Sequence, residues 1–170
     1  VVQYPIALAG VLRAGYVDRT RLVGTGGSYG GFMAAYMNGH TDRYTSYVCH
    51  AGCYDWVSMM ATDGYRFFSE ELGAFHWEDE ARVLKQSPHH HVGSAQTPTL
   101  VIHGELDYRV PATQALQYYN TLKAKGVPAR LVYFPDENHW ILKPQNSRLW
   151  YREFFEWIAR FTGPTTKPGR

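Results

Sequence analysis

The chain has 170 residues, of which 45% are hydrophobic and 19% charged. That length gives one domain with room for a buried core, and that composition excludes intrinsic disorder. Net charge is only +2, from 17 basic and 15 acidic residues with no basic run, which excludes a nucleic-acid partner. Aromatics reach 15%, including 13 Tyr and 5 Trp, a content that fits a rigid interior or a binding cleft. The two cysteines, Cys49 and Cys53, are too few for a disulfide framework and lack the second pair a zinc site needs. They read as small buried apolar residues. The apolar stretch 5–12 is too short to cross a bilayer, and no basic segment precedes it as in a secretory leader. No membrane association is expected.

Taken in order, residues 5–14 predict a helix stopped by Gly15. The first residues, from Val1, read as the middle of a helix whose start lies upstream. Residues 21–25 predict a short strand that runs directly into a glycine-rich turn, and residues 30–38 a helix ended by Gly39. A second buried strand is expected over 45–50. An irregular aromatic stretch of short helices and loops follows over 53–94, with its clearest helix at 79–86. The strongest strand is 97–103, with Pro98 near its start. Pro111 marks the beginning of a helix over 112–124, closed by Gly126. A fourth strand spans 130–134, stopped by Pro135. The last helix, 146–161, is amphipathic, aromatic on one face and expected to be capped by Asn146. Strands alternating with helices predict an α/β fold with a mostly parallel sheet, and near-continuous apolar strands predict cover on both faces.

Three segments carry chemistry. Gly26–Gly27–Ser28–Tyr29–Gly30 matches G-x-S-x-G between a strand and a helix, the context in which that motif is a nucleophile turn. Small residues let the backbone pass through a tight turn that lifts the serine hydroxyl above the sheet, beside helical N–H groups able to stabilise an oxyanion. A phosphate loop fits worse, because no Walker lysine follows. A serine needs a base and the base an orienting acid, here in the order Ser, acid, His. Asp107 and His139 each lie just past a strand, where open α/β sheets bind ligands. Glu105 competes with Asp107 but sits nearer its strand. His103 and His50 end strands and read as structural. The run His89–His90–His91 points its rings in different directions and does not read as a metal site. Arg109 is either a surface arginine in a salt bridge or a cleft cation that binds a substrate carbonyl or carboxylate.

These residues resemble the prolyl oligopeptidase family of serine peptidases. The segments that carry the likeness are Gly26 to Phe32, His103–Gly104–Glu105–Leu106–Asp107–Tyr108–Arg109–Val110–Pro111 and Phe134–Pro135–Asp136–Glu137–Asn138–His139–Trp140, and it runs from about Gly15 to Phe161. The acylaminoacyl-peptidase and dipeptidyl-peptidase branch is the nearest within it. The resemblance implies an α/β-hydrolase fold and an exopeptidase that cleaves short peptides through an acyl-enzyme, without metal or organic cofactor. Ser28 would be the nucleophile, Asp107 the orienting acid, His139 the general base and the Tyr29 N–H an oxyanion donor. Arg109 would bind a substrate carbonyl, and Val110, Tyr54 and Trp56 would wall the pocket for the residue before the scissile bond. Family members carry a β-propeller and a first half of the hydrolase sheet that this sequence lacks. Residues 1–162 are therefore expected to be a C-terminal, partial catalytic domain whose partner is the missing part of the same protein, with 163–170 a flexible tail. Weak or no activity is expected of this piece alone, since a second oxyanion donor lies in the absent half. A carboxylesterase or thioesterase of the same fold, and a non-catalytic binding relative, are the competing readings. A homo-oligomer stays open. A cytoplasmic location fits the few cysteines, with a periplasmic or secreted one as the alternative.

Overall fold

The apolar runs at 46–50 and 99–104 become the two inner strands of a four-stranded sheet. The computed structural model describes residues 9–13 and 15–163. Strands β1 (Val23–Gly27), β2 (Ser46–His50), β3 (Thr99–Gly104) and β4 (Ala129–Phe134) lie side by side in that order, all parallel. Helix α1 (Tyr29–Asn38) joins β1 to β2. Helices α2 (Trp56–Met59), α3 (Tyr65–Leu72), α4 (Glu80–Gln86) and α5 (Pro88–His91), with a 3-10 turn over Val92–Ser94, form the excursion to β3. Helix α6 (Thr113–Ala124) joins β3 to β4, and α7 (Pro144–Thr162) follows β4. Residues 9–13 are also helical; the remainder of the helix expected over 5–14 lies outside the described residues, as do residues 164–170.

Side-chain alternation sends β2 and β3 into two cores. Tyr47, Cys49 and Val101 pack with Ala34 and Ala35 of α1 and with Ala115, Tyr118 and Leu122 of α6. Val48, Leu100 and Ile102 face the opposite side, where Trp157 of α7 covers them with Val132 and Phe134. Burying each such aliphatic side chain contributes roughly 1.5–3 kcal/mol. The excursion builds a third core from Trp56, Met59, Phe68, Leu72 and Val83 against Phe32 and Val110. Both cysteines are free and buried. The Cys49 thiol donates to the Gly31 carbonyl at 3.2 Å, and burial pushes its pKa up to about 12.

Three boundaries differ from expectation for physical reasons. Strand β1 is shifted two residues toward the turn. Arg21 is engaged by Asp18, whereas Gly26 and Gly27 pair with Cys49 and His50, so register against β2 overrides their weak strand preference. Strand β3 starts at Thr99 rather than at 97, because the Thr97 N–H is taken by the buried Asn38 side chain. Helix α7 begins at Pro144, in the first turn where a missing N–H costs nothing, and Asn146 is not its cap. The Asn146 amide instead donates to Asp136 at 2.9 Å and Glu137 at 2.8 Å. Gly126, past the end of α6, has φ +73°, the left-handed conformation that its closing role requires. Among the described residues no helix is long and apolar enough to cross a membrane.

Candidate active site

Ser28 stands between β1 and α1 with φ 58° and ψ −116°, a conformation non-glycine residues rarely adopt. Its neighbours allow it. A Cβ on Gly26 would lie 2.5 Å from the Gly30 backbone. The Ser28 N–H is anchored to the His50 carbonyl at 2.9 Å, and the Ser28 carbonyl accepts the Phe32 N–H at 2.9 Å. The turn is thus tied to the end of β2 and to the first turn of α1, of which Tyr29 is the first residue.

Asp107 lies in the loop after β3, with no exposed side-chain surface. Its Oδ1 accepts the backbone N–H groups of Arg109 at 2.9 Å and Val110 at 2.8 Å. Its Oδ2 lies 2.7 Å from His139 Nδ1 and 3.3 Å from His103 Nε2. Burial would push this carboxyl up. The bonds from His103 and His139 and the Val110 N–H outweigh burial and hold it well below the usual carboxylate range. An ionised Asp107 fixes the proton of His139 on Nδ1 and leaves Nε2 as the accepting nitrogen. Glu105, the rival acid, is exposed, and its side chain is not brought to His139. His103 sits fully buried at the end of β3 and bonds the Val110 carbonyl at 2.8 Å, which braces the acid loop as its position suggested.

Glu137 braces the loop of the base, a role that the sequence reading did not assign. Its buried carboxylate accepts the N–H groups of Leu142 at 3.1 Å and Lys143 at 2.9 Å, beside the Asn146 amide. Its own carbonyl accepts the Leu106 N–H at 2.9 Å, which joins the base loop to the acid loop. Burial works against ionisation of Glu137, but these donors together hold its pKa below the ordinary value.

A cavity of about 540 Å³ opens beside Ser28, walled by Tyr29, Phe32, Trp56, Met59, Phe68 and Val110, with Arg109 at its side. Arg109 makes the salt bridge that one reading expected and also borders the cavity. It pairs with Asp63 at 2.9 Å while lining the cavity, its guanidinium about 6 Å from the Phe67 and Phe68 rings. Tyr54, expected as a wall, is placed elsewhere: its ring stacks on Tyr118 in the core, 5.1 Å between centroids. Its backbone N–H is held by Gln114.

Gln114 of α6, invisible to motif reading, is fully buried. Its Oε1 accepts the N–H groups of Tyr54 at 2.9 Å and Asp55 at 2.7 Å, and its Nε2 donates to Ser58 at 3.0 Å. It staples the segment that carries Cys53 and Trp56 into the cavity wall. Gln114→Leu leaves those backbone donors buried without partners and is expected to cost roughly 2–4 kcal/mol. Urea denaturation reads the loss, and an unchanged midpoint would contradict the clamp.

Two of the three consecutive histidines make separate contacts. His89 faces Ser87 at 2.8 Å, and His91 Nε2 bonds the Lys85 carbonyl at 2.8 Å. Among the described residues no group of three or more His, Cys, Asp or Glu side chains is placed to hold a metal.

Comparison with known proteins agrees with this geometry. A family model, that of the prolyl oligopeptidase family, matches residues 6–165. A dipeptidyl-peptidase 5 from Porphyromonas gingivalis is 40% identical over 152 residues, which cover 86% of this chain and 22% of that protein. The chain thus spans about a fifth of the length of the curated relatives it matches. The acylaminoacyl peptidase of Pyrococcus horikoshii superposes with a TM-score of 0.86 at 26% identity, over 96% of this chain and 28% of that one. A solved acylaminoacyl peptidase in complex with Z-Gly-Gly-Phe-chloromethyl ketone superposes equally well, with a TM-score of 0.86 at 26% identity, over 95% of this chain and 27% of that one. The parallel sheet and its flanking helices are those of an α/β-hydrolase.

Proposed function

The chain belongs to the prolyl oligopeptidase family, and on that premise we propose that it supplies the catalytic triad of a serine exopeptidase. His139 Nε2 takes the Ser28 proton, Ser28 Oγ attacks the substrate carbonyl, and the acyl-enzyme is then released by water. The Tyr29 N–H, at the start of α1, faces the developing oxyanion. Arg109 receives a substrate carbonyl at the edge of the cavity, with Asp63 holding its guanidinium in place. The observation that carries this reading is the 2.7 Å contact between His139 and an Asp107 kept ionised, on the loops after two neighbouring strands.

The domain that performs this chemistry extends beyond these residues. Strand β1 has one partner, β2, among the described residues, and Thr25 and Gly27 on it are exposed. An open strand edge of this kind is a site for pairing. Residues 1–162 are thus read as one part of a catalytic domain whose sheet continues past β1. The decisive experiment is active-site labelling of the longer polypeptide that carries this sequence. A fluorophosphonate is expected to modify Ser28 and to abolish turnover of a dipeptidyl or acylaminoacyl nitroanilide. Labelling with turnover of nitrophenyl esters only would make the protein an esterase, and absence of labelling in folded protein would make it a binding relative.

The aromatic cavity beside Ser28 is the site for the side chain before the scissile bond, and its size suits a large apolar group. A similar acylaminoacyl peptidase was solved in complex with Z-Gly-Gly-Phe-chloromethyl ketone, a ligand with Phe at the end that reacts, in keeping with an apolar preference there. Replacing Ala by Phe at that position buries a ring worth roughly 2 kcal/mol, so kcat/KM is expected to rise about thirtyfold. A matched series of Ala, Leu and Phe nitroanilides measures it. A preference for Ala would overturn the assignment.

A further inference from the structure

His50, the last residue of β2, has no part in the chemistry above, yet it joins the turn that carries Ser28 to the last helix. Its backbone carbonyl accepts the Ser28 N–H at 2.9 Å. From the opposite face of the sheet, the indole Nε1–H of Trp150 on α7 donates to its Nδ1 at 2.8 Å. A ring nitrogen that accepts a hydrogen bond carries no proton, so the neutral imidazole must carry its proton on Nε2. That Nε2 is buried and no partner meets full hydrogen-bond geometry with it.

The ring is also held neutral by its surroundings. Burial first, then the neighbouring His103 and His139 rings, push its pKa down to about 4, against an opposing pull from the His139 backbone and Asp107. These are the titratable groups around it: His103 and Asp107 from β3 and the loop that follows, and His139 from the base loop. The partner supplied by α7, Trp150, does not titrate. His50 is therefore neutral at neutral pH, which matters because His139 becomes positive as it takes the serine proton. A second cation beside it would oppose that step.

We propose that His50 is a positioning residue for the triad: Trp150 holds its ring as the Nε2–H tautomer and thereby fixes the strand end whose carbonyl anchors Ser28. The proposal rests on the triad reading above. It assigns function to a histidine that the sequence presents only as a strand terminus, and to a tryptophan on a helix remote from the cavity.

The test uses the rate of fluorophosphonate inactivation of the longer polypeptide, together with kcat and KM on a nitroanilide. The inactivation rate needs an activated Ser28 but no particular leaving group. Trp150→Phe and His50→Phe are each expected to lower it about ten- to hundredfold, a loss typical of a displaced reacting group. The effect should fall on kcat rather than KM. The double variant should be no slower than the slower single one, because both break the same tether. His50→Gln, which keeps an N–H donor and an acceptor, is expected to recover the rate to within about threefold of the unmodified protein. Thermal melting separates these losses from unfolding, and Trp150→Phe, a conservative change at a half-buried ring, keeps the test intact if His50→Phe does not fold. Both single variants at the unmodified rate, or fully additive losses, would overturn the coupling. An unmodified protein that does not react at Ser28 removes the triad reading itself, an outcome distinct from reactive protein with indifferent His50 variants.

Discussion

Replacing Asp107 by Asn is expected to lower kcat by about four orders of magnitude while leaving the fold in place. The asymmetry of the carboxylate explains both halves of that result. Oδ1 holds the Arg109 and Val110 N–H groups, and an amide oxygen can take over that duty unchanged. Oδ2 accepts from His139 Nδ1, and there the variant presents an NH2 group, which cannot accept. His139 must then turn its unprotonated nitrogen toward residue 107 and carry its proton on Nε2. In that tautomer it has nothing with which to take the Ser28 proton. Stability should respond in a pH-dependent way. The folded carboxyl titrates below its ordinary value of 3.8, so its contribution is complete at neutral pH and fades as pH falls through and below that value. The Tm gap between the two proteins should therefore be widest near pH 7 and close on acidification. Steady-state kinetics and melting at two pH values measure both effects. A variant within tenfold of the unmodified kcat would mean that another acid orients His139.

What could be read from the sequence was what local sterics and order along the chain encode. The turn at Ser28 was legible because its glycines sit where the backbone folds against itself, and a fixed spacing records that. Asp107 and His139 were legible from their position after strands. Burial then sets Asp107 apart from Glu105, since one carboxylate is enclosed and the other faces solvent. The supports were not legible. Gln114 acts on residues about 60 positions earlier, and nothing in its neighbours marks it. His50 and Trp150 are 100 residues apart and meet only because β2 and α7 lie on one another. Tyr54 was misplaced because proximity to a motif in sequence says little about which layer of a folded excursion a ring enters. The start of α7 was a misread signal rather than a missing one. Pro144 marked the first turn, while Asn146, a good cap by composition, was drawn into the Asp136 and Glu137 cluster.

Gly31→Ala is expected to be strongly disruptive, and Gly30→Ala, one residue earlier, among the mildest single-methyl changes in this part of the molecule. A Cβ at Gly31 would lie 2.5 Å from the His50 carbonyl oxygen and 2.8 Å from Gly52 Cα. Both are backbone atoms at the end of β2, so no side-chain rotation relieves the contact. Either α1 must tilt away from the sheet or the end of β2 must retreat. Retreat breaks the 2.9 Å bond from the Ser28 N–H to the His50 carbonyl, and tilting moves Tyr29 and the first turn of α1. The expected cost is about 3 kcal/mol, at the upper end of the usual range for overpacking, because the site cannot adjust. Protein that remains folded should still lose reactivity at Ser28, because the anchor that sets the serine is the contact displaced. At Gly30 an added Cβ meets nothing within 4 Å among the described residues. There alanine should leave reactivity intact and stabilise α1 by up to about 1 kcal/mol through helix propensity. Urea denaturation and fluorophosphonate labelling of the two variants, side by side in the longer polypeptide, test this contrast. Equal tolerance of both would mean that the approach of α1 to the end of β2 is looser than 2.5 Å implies, and that Gly31 is not what holds Ser28 against His50.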